Sequence, residues 1–148
     1  MPIRTADQYL NSLQDDRQVF IGGELVKDVT KDRRFAGAAE TMADLLQMQH
    51  ETSMQDLLTY TSPSSGERVG MSHIQPKTAE DVKSRGNAMQ AWMDTTCGML
   101  GRSPDYKNVM VAAWAAAASS FKRESFDGSE NIEKFYQLVR ENDLMMTH

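Results

Sequence analysis

The residues best able to do chemistry lie together in one short connection, Gly101-Arg102-Ser103-Pro104-Asp105-Tyr106. Glycine and proline fix the backbone there, and the segment concentrates a guanidinium, a carboxylate and a phenol. Arginine brings a permanent charge and a rigid fork of donors, and tyrosine adds one more donor. Aimed from a rigid loop, that pair would hold an anionic or phenolic ligand. The same residues also describe an ordinary helix start, with Pro104 at an early helical position, Asp105 in the first turn and Arg102 in a surface ion pair. Residue types alone leave both readings open.

Other reactive side chains are scattered. His50, His73 and His148 are far apart and lack the HExxH-type spacing of a metal site, so each reads as a helix-end or interface residue. Cys97 precedes Gly98 near a helix end. A nucleophile or cluster ligand is one reading, but a small packed hydrophobe is the expectation, because free cysteines are commonly buried. Met42, Met48, Met54, Met89, Met93, Met99 and Met110 fall at helical positions and read as core filler rather than as an adaptable binding surface. No glycine-rich phosphate loop and no GxSxG elbow occurs.

The elements that must position these groups follow from capping and periodicity. Thr5 with Gln8 forms a capping box that opens a short helix through Tyr9, Leu10 and Leu13. Val19-Phe20-Ile21 and Leu25-Val26 flank Gly22-Gly23, which predicts a hairpin. From about Phe35 to His50, Ala38, Met42, Leu45, Leu46 and Gln49 recur at helical steps. Leu57-Leu58-Thr59-Tyr60 and Val69-Gly70-Met71-Ser72 flank a loop of turn residues and predict a second hairpin. Thr78 then caps a helix running through Met89, Trp92 and Met93 towards Gly98, with Glu80 and Asp81 suited to its dipole. Val109 to Ala118 is almost wholly apolar, predicting a helix buried on most sides. A last helix runs from Glu130 towards Leu144, with Ile132, Phe135, Tyr136, Val139 and Leu144 on its apolar face. The fold class is mainly α with two short β-hairpins.

The chain has 148 residues, which suits one domain. Sixteen basic against 21 acidic residues leave a net charge of −5, which argues against a nucleic-acid face. One cysteine excludes an intrachain disulfide and a cysteine-built zinc site. No stretch approaches the roughly 20 apolar residues of a membrane span, and the start lacks the apolar run of a secretory signal. Composition predicts an acidic, globular, cytoplasmic protein. The apolar ending Leu144-Met145-Met146-Thr147-His148 and the apolar helix at 109–118 both suggest the front part of something larger.

The chain resembles the N-terminal region of the oxygenase component of the 4-hydroxyphenylacetate 3-monooxygenase family, two-component FAD-dependent phenol hydroxylases. The resemblance is carried by R-T-A-D-Q-Y-L, D-L-L-T-Y, M-S-H-I-Q-P-K-T-A-E-D-V-K-S-R-G, G-M-L-G-R-S-P-D-Y and E-N-D-L-M-M-T-H, in the family's order across nearly all of the sequence. It implies an acyl-CoA dehydrogenase-like fold: a helical N-terminal domain, here residues 1–148, then a flavin-binding β-barrel and a C-terminal helical bundle that this chain lacks. It further implies a homotetramer, reduced FAD delivered by a separate flavin reductase, and hydroxylation of a para-substituted phenol by O2 to a catechol.

By the same resemblance Arg102, Tyr106 and His148 surround the phenol oxygen, while Ser103, Pro104 and Asp105 share the substrate-contacting loop. Arg102 would stabilise a developing phenolate, His148 would accept its proton or a hydrogen bond, and Tyr106 would orient the phenol oxygen. The flavin contacts fall mostly beyond residue 148. The expectation is a fragment, inactive alone.

Two other readings compete. A free-standing helical domain of this size would serve as a non-catalytic interaction or assembly module, using the apolar face where the barrel docks. The related 4-hydroxybutyryl-CoA dehydratase combines FAD with an iron–sulfur cluster, which needs several thiolates where this chain has only Cys97.

Overall fold

The computed structural model describes residues 2–98 and 105–146. Among the described residues six helices carry the fold: α1 (Ala6–Ser12), α2 (Ala36–Met48), the single turn α3 (Gln55–Leu58), α4 (Ala79–Thr95), α5 (Asp105–Ala116) and α6 (Ser129–Glu141). Three antiparallel strand pairs join them: β1 (Val19–Ile21) with β2 (Glu24–Val26), β3 (Thr59–Thr61) with β4 (Arg68–Gly70), and β5 (Lys122–Arg123) with β6 (Phe126–Asp127). The mainly helical class with short hairpins is thus the observed one. The last strand pair adds to the two expected.

Local chemistry explains where the elements begin. The Thr5 hydroxyl accepts from the Gln8 N–H at 3.2 Å while Gln8 Oε1 accepts from the Thr5 N–H at 3.0 Å, the reciprocal box that opens α1. Thr78 and Asp81 repeat the device at α4 with bonds of 3.1 and 2.8 Å. Gly22 and Gly23 both have positive φ (58° and 84°), as a two-residue turn between right-twisted strands requires.

Two hydrophobic cores sit side by side. Met42 and Leu45 of α2, Leu58, Met71, and Ala88 and Trp92 of α4 form the first, with Tyr9 and Met145 against its edge. Val111, Ala112 and Ala115 of α5 with Tyr136 of α6 form the second, edged by Ile132 and Met146. A short 3-10 turn, Met71–His73, lies between them and packs on both α4 and α5.

Several details depart from the sequence expectation. On α2 the buried alanines are Ala39 and Ala43, and Ala38 is exposed. Leu57 and Leu58 close the α3 turn, so the second hairpin starts at Thr59. Met42 is core and Met48, Met54 and Met89 edge it, but Met93 is exposed. Helix α5 is not covered all round: it buries Asn108, Val111, Ala112 and Ala115 and leaves Trp114 43% exposed. Phe135, expected on the buried face of α6, is also exposed, and Arg140 is buried in its stead.

Arg140 has polar work. The loop 62–67 of the second hairpin is tied to α6 through it and Glu141. Ser62 Oγ and Ser65 Oγ donate to the two Glu141 carboxylate oxygens, each at 2.6 Å. Arg140 Nε donates to Glu141 Oε1 at 2.7 Å and Nη2 to Ser64 Oγ at 2.6 Å. Burial alone would raise the Glu141 pKa, but these donors outweigh it and hold the carboxyl below its ordinary value of 4.5.

Two predictions follow from these contacts. Thr78→Ala removes the acceptor of one capping bond and costs about 1 kcal/mol in chemical denaturation. Glu141 has its folded pKa depressed, so its stabilisation is complete above pH 4.5 and disappears as pH falls through the folded value. Glu141→Gln therefore lowers the melting temperature at neutral pH, and the gap to the parent protein closes in acid. A gap that stays constant between about pH 7 and about pH 3 contradicts this assignment.

Candidate functional site

The sequence-derived site falls at the start of α5 and beyond the end of α6. Arg102, Ser103, Pro104 and His148 lie outside the described residues, as does the side chain of Asp105. Tyr106 is described. It stands in the first turn of α5, 46% exposed, with Lys107 Nζ 5.2 Å from its ring centroid. Two residues on, Asn108 is fully buried, and its Nδ2 donates to Ser72 Oγ at 3.0 Å. The start of α5 is thereby fastened to the 3-10 turn while Tyr106 stays accessible.

The connection that carries Arg102 leaves α4 through a left-handed stop. Cys97 (φ 51°) and Gly98 (φ 74°) end the helix, with the Gly98 N–H bonded to the Met93 carbonyl at 2.8 Å. Cys97 was expected to be a packed hydrophobe; its side chain is exposed instead, because the left-handed turn carries it past the last packed face of α4.

Behind this edge lies a buried polar network that motif reading did not single out. The His73 backbone carbonyl accepts from the Tyr136 hydroxyl at 2.7 Å and from the Tyr60 hydroxyl at 3.4 Å. Arg140 Nη1 donates to the Tyr136 oxygen at 3.2 Å. Burial, with Tyr136 beside it, pushes the Tyr60 pKa far above the ordinary phenol range, so Tyr60 stays a donor at any physiological pH.

On the other side of His73, Asp143 Oδ2 accepts from the Arg4 N–H at 3.1 Å and from Gln49 Nε2 at 2.9 Å. Asp143 Oδ1 lies 3.7 Å from His73 Nε2. The Asp143 carbonyl accepts from Arg4 Nε at 3.0 Å, and His50 Nε2 meets the Arg4 carbonyl at 3.1 Å.

Space is tight in this network. A Cβ on Gly70 would stand 3.0 Å from Gln49 Oε1 and 3.1 Å from Asp143 Oδ1, so a side chain there would press on both. Gln49 Oε1, Trp92 Nε1 and Asn108 Oδ1 have no protein partner, and their side chains line one cavity of about 10 Å³, the room of a single water molecule.

Arg140 pairs with Glu141, and Asp143 is held by the Arg4 N–H and the Gln49 amide. Such an arrangement ties distant elements together. His73 and Asp143 belong to M-S-H-I-Q-P-K-T and E-N-D-L-M-M-T-H, and that shared membership was the available sequence signal for them. Among the described residues no three His, Cys, Asp or Glu side chains cluster as a metal site, and no helix is long and apolar enough to cross a membrane. Val111, Trp114, Phe121, Ile132 and Phe135 line an open apolar groove on the outer side of α5 and α6.

Comparison with known proteins places the chain. The family model described as 4-hydroxyphenylacetate 3-hydroxylase N terminal matches residues 5–148. The 4-hydroxyphenylacetate 3-monooxygenase oxygenase component of Thermus thermophilus is 40% identical over 146 residues, 98% of this chain and 29% of the relative. A crystal structure of the oxygenase component of 4-hydroxyphenylacetate 3-monooxygenase, complexed with FAD and 4-hydroxyphenylacetate, superimposes with a TM-score of 0.88 at 40% identity. That match covers 96% of this chain and 29% of the other.

An archaeal 4-hydroxybutyryl-CoA dehydratase from N. maritimus shares the fold alone, at TM-score 0.81 and 19% identity over 97% of this chain and 28% of its own. The chain spans less than a third of the length of each of these relatives. By the match over residues 5–148 and the 40% identity across 98% of its length, the chain belongs to the 4-hydroxyphenylacetate 3-hydroxylase N-terminal family.

Proposed function

We propose that this chain is the N-terminal part of a reduced-FAD-dependent aromatic monooxygenase that hydroxylates a para-substituted phenol, of the 4-hydroxyphenylacetate type, to a catechol. The observation that carries the reading is the likeness, at 40% identity and TM-score 0.88, to an oxygenase component complexed with FAD and 4-hydroxyphenylacetate. Residues 1–148 form one helical N-terminal domain, and the flavin-binding barrel and C-terminal bundle belong to the part of the family fold outside it. The complete protein is a cytoplasmic homotetramer supplied with reduced FAD by a separate flavin reductase. Residues 1–148 alone have no hydroxylase activity.

Reduced FAD, when bound, supplies the electrons for activating O2. This chain's own residues handle the phenol. The Arg102 guanidinium stabilises negative charge on the phenol oxygen, and a neutral His148 imidazole takes its proton, which makes the ortho carbon more nucleophilic. The Tyr106 hydroxyl orients the same oxygen, and Ser103, Pro104 and Asp105 share the substrate-contacting loop. The accessible position of Tyr106 on a helix start locked by Asn108 suits a donor that must keep its aim.

The open groove at Trp114, Phe121 and Phe135 favours a second reading, a non-catalytic helical assembly module that docks a partner there. A dehydratase-like cluster enzyme is disfavoured by the single cysteine.

The full-length protein with reduced FAD, O2 and 4-hydroxyphenylacetate is expected to form the catechol. Arg102→Ala lowers kcat/KM by roughly 100-fold or more, and Tyr106→Phe by roughly 10-fold. Catechol formation followed by chromatography checks this, and an assembly module instead gives no product and no effect of either variant.

A further inference from the structure

Asparagine is an unexpected residue at the start of the buried face of α5. Asn108 is 1% exposed and shares that face with Val111, Ala112 and Ala115. Its Nδ2 donates to Ser72 Oγ at 3.0 Å, and its Oδ1 has no protein partner. Ser72 is itself buried in the 3-10 turn Met71–His73. An apolar side chain would fill this place without the cost of burying an amide. What the amide adds is direction. Apolar contacts tolerate roll and slide of a helix, whereas a hydrogen bond weakens steeply once its angle is lost.

A second link from the same segment reaches the helix one turn further on. Gln75 Nε2 donates to the Ala112 carbonyl at 3.2 Å. Ser72 and Gln75 thus hold α5 at Asn108 and Ala112, which sets both its roll and its slide along its axis. Tyr106 lies two residues before Asn108, a rotation of about 200° around the helix. Turning Asn108 inward therefore turns Tyr106 outward, where it stands exposed.

We propose that Ser72 and Asn108 are a positioning pair for Tyr106. Their bond sets the roll of the first turns of α5, and with it the direction in which the Tyr106 ring leaves the helix. Both residues are buried and act through the helix alone. The inference rests on the reading of Tyr106 as the donor that orients the phenol oxygen.

The test is a double-mutant cycle in the full-length protein, reading kcat and KM separately for 4-hydroxyphenylacetate hydroxylation with reduced FAD. Ser72→Ala removes one oxygen from the pair and is expected to lower kcat roughly fivefold, with KM changed by less than about twofold. Ser72→Thr keeps the hydroxyl and should recover most of that loss. In a Tyr106→Phe background, itself slower by roughly 10-fold, Ser72→Ala is expected to cost less than about twofold more, because no hydroxyl remains to be aimed. Asn108→Ser, which shortens the other side of the bond, takes the place of Ser72→Ala if that variant does not fold.

Losses that multiply in the double variant overturn the inference, since general loosening or a smaller folded fraction acts independently of the Tyr106 hydroxyl. Full activity in both Ser72→Ala and Asn108→Ser overturns it too. Full activity in Tyr106→Phe removes the role given to that residue, and this inference with it, while the hydroxylase reading still stands on catechol formation by the parent protein. A parent protein that forms no catechol overturns both.

Discussion

A three-residue turn, Met71–His73, is buried between two hydrophobic cores, and its polar groups have to be satisfied without bulk water. A buried donor or acceptor left bare costs about 1–3 kcal/mol, a large share of a small domain's stability. The turn draws hydrogen bonds from three places: Tyr60 on β3, Asn108 on α5 and Tyr136 on α6. Asp143, in the turn after α6, stands 3.7 Å from His73 Nε2, and His73 Nδ1 has no protein partner. Since each partner lies on a different element, meeting these demands sets the spacing of the elements themselves. Gly70 belongs to the same constraint, because a Cβ there would press on Gln49 and Asp143.

The handling of charge points the same way. Arg140 is almost fully buried, yet Glu141, Tyr136 and Ser64 occupy its donors, and Glu141 is in turn held by Ser62 and Ser65. Removing one partner of such a pair would strand a buried charge, which is far costlier than the net worth of the pair. These pairs make the interior a scaffold, and Tyr106 stands at its edge, exposed near the start of a helix that Asn108 fastens.

What was legible in the sequence was what local chemistry decides. The Thr5–Gln8 capping box, the Thr78 N-cap and the Gly22-Gly23 turn involve residues within four positions of one another and were read correctly, while Asp81, read for its charge, also closes a capping box with Thr78. Boundaries were less secure where an apolar run has two uses. Leu57-Leu58 looks like the start of a strand but closes a helical turn, with Leu58 at the centre of the core. The β5–β6 pair has charged and exposed residues with no alternation to betray it. The buried network was out of reach of periodicity, because Tyr136 and His73 are 63 positions apart and Arg4 and Asp143 are 139 apart. For the site, physics alone left G-R-S-P-D-Y as either a ligand loop or a helix start, and only the family resemblance weighed it towards a phenol.

Helices α4 and α6 end in the same manner. Arg102 lies five residues after Cys97, and His148 lies five after Asp143, and both of those residues adopt a left-handed conformation at a helix stop. Such a conformation costs a residue other than glycine about 1 kcal/mol, so some other gain must hold it. At α4 the gain is small: Cys97 is exposed, and the following Gly98 shares the turn and bonds back to Met93. At α6 the Asp143 side chain reaches across to the opposite end of the chain, and the residues after it rest on both cores. Among the described residues, the left-handed stop of α6 is therefore held by side-chain contacts as well as by backbone bonds, and that of α4 by the Gly98 bond to Met93.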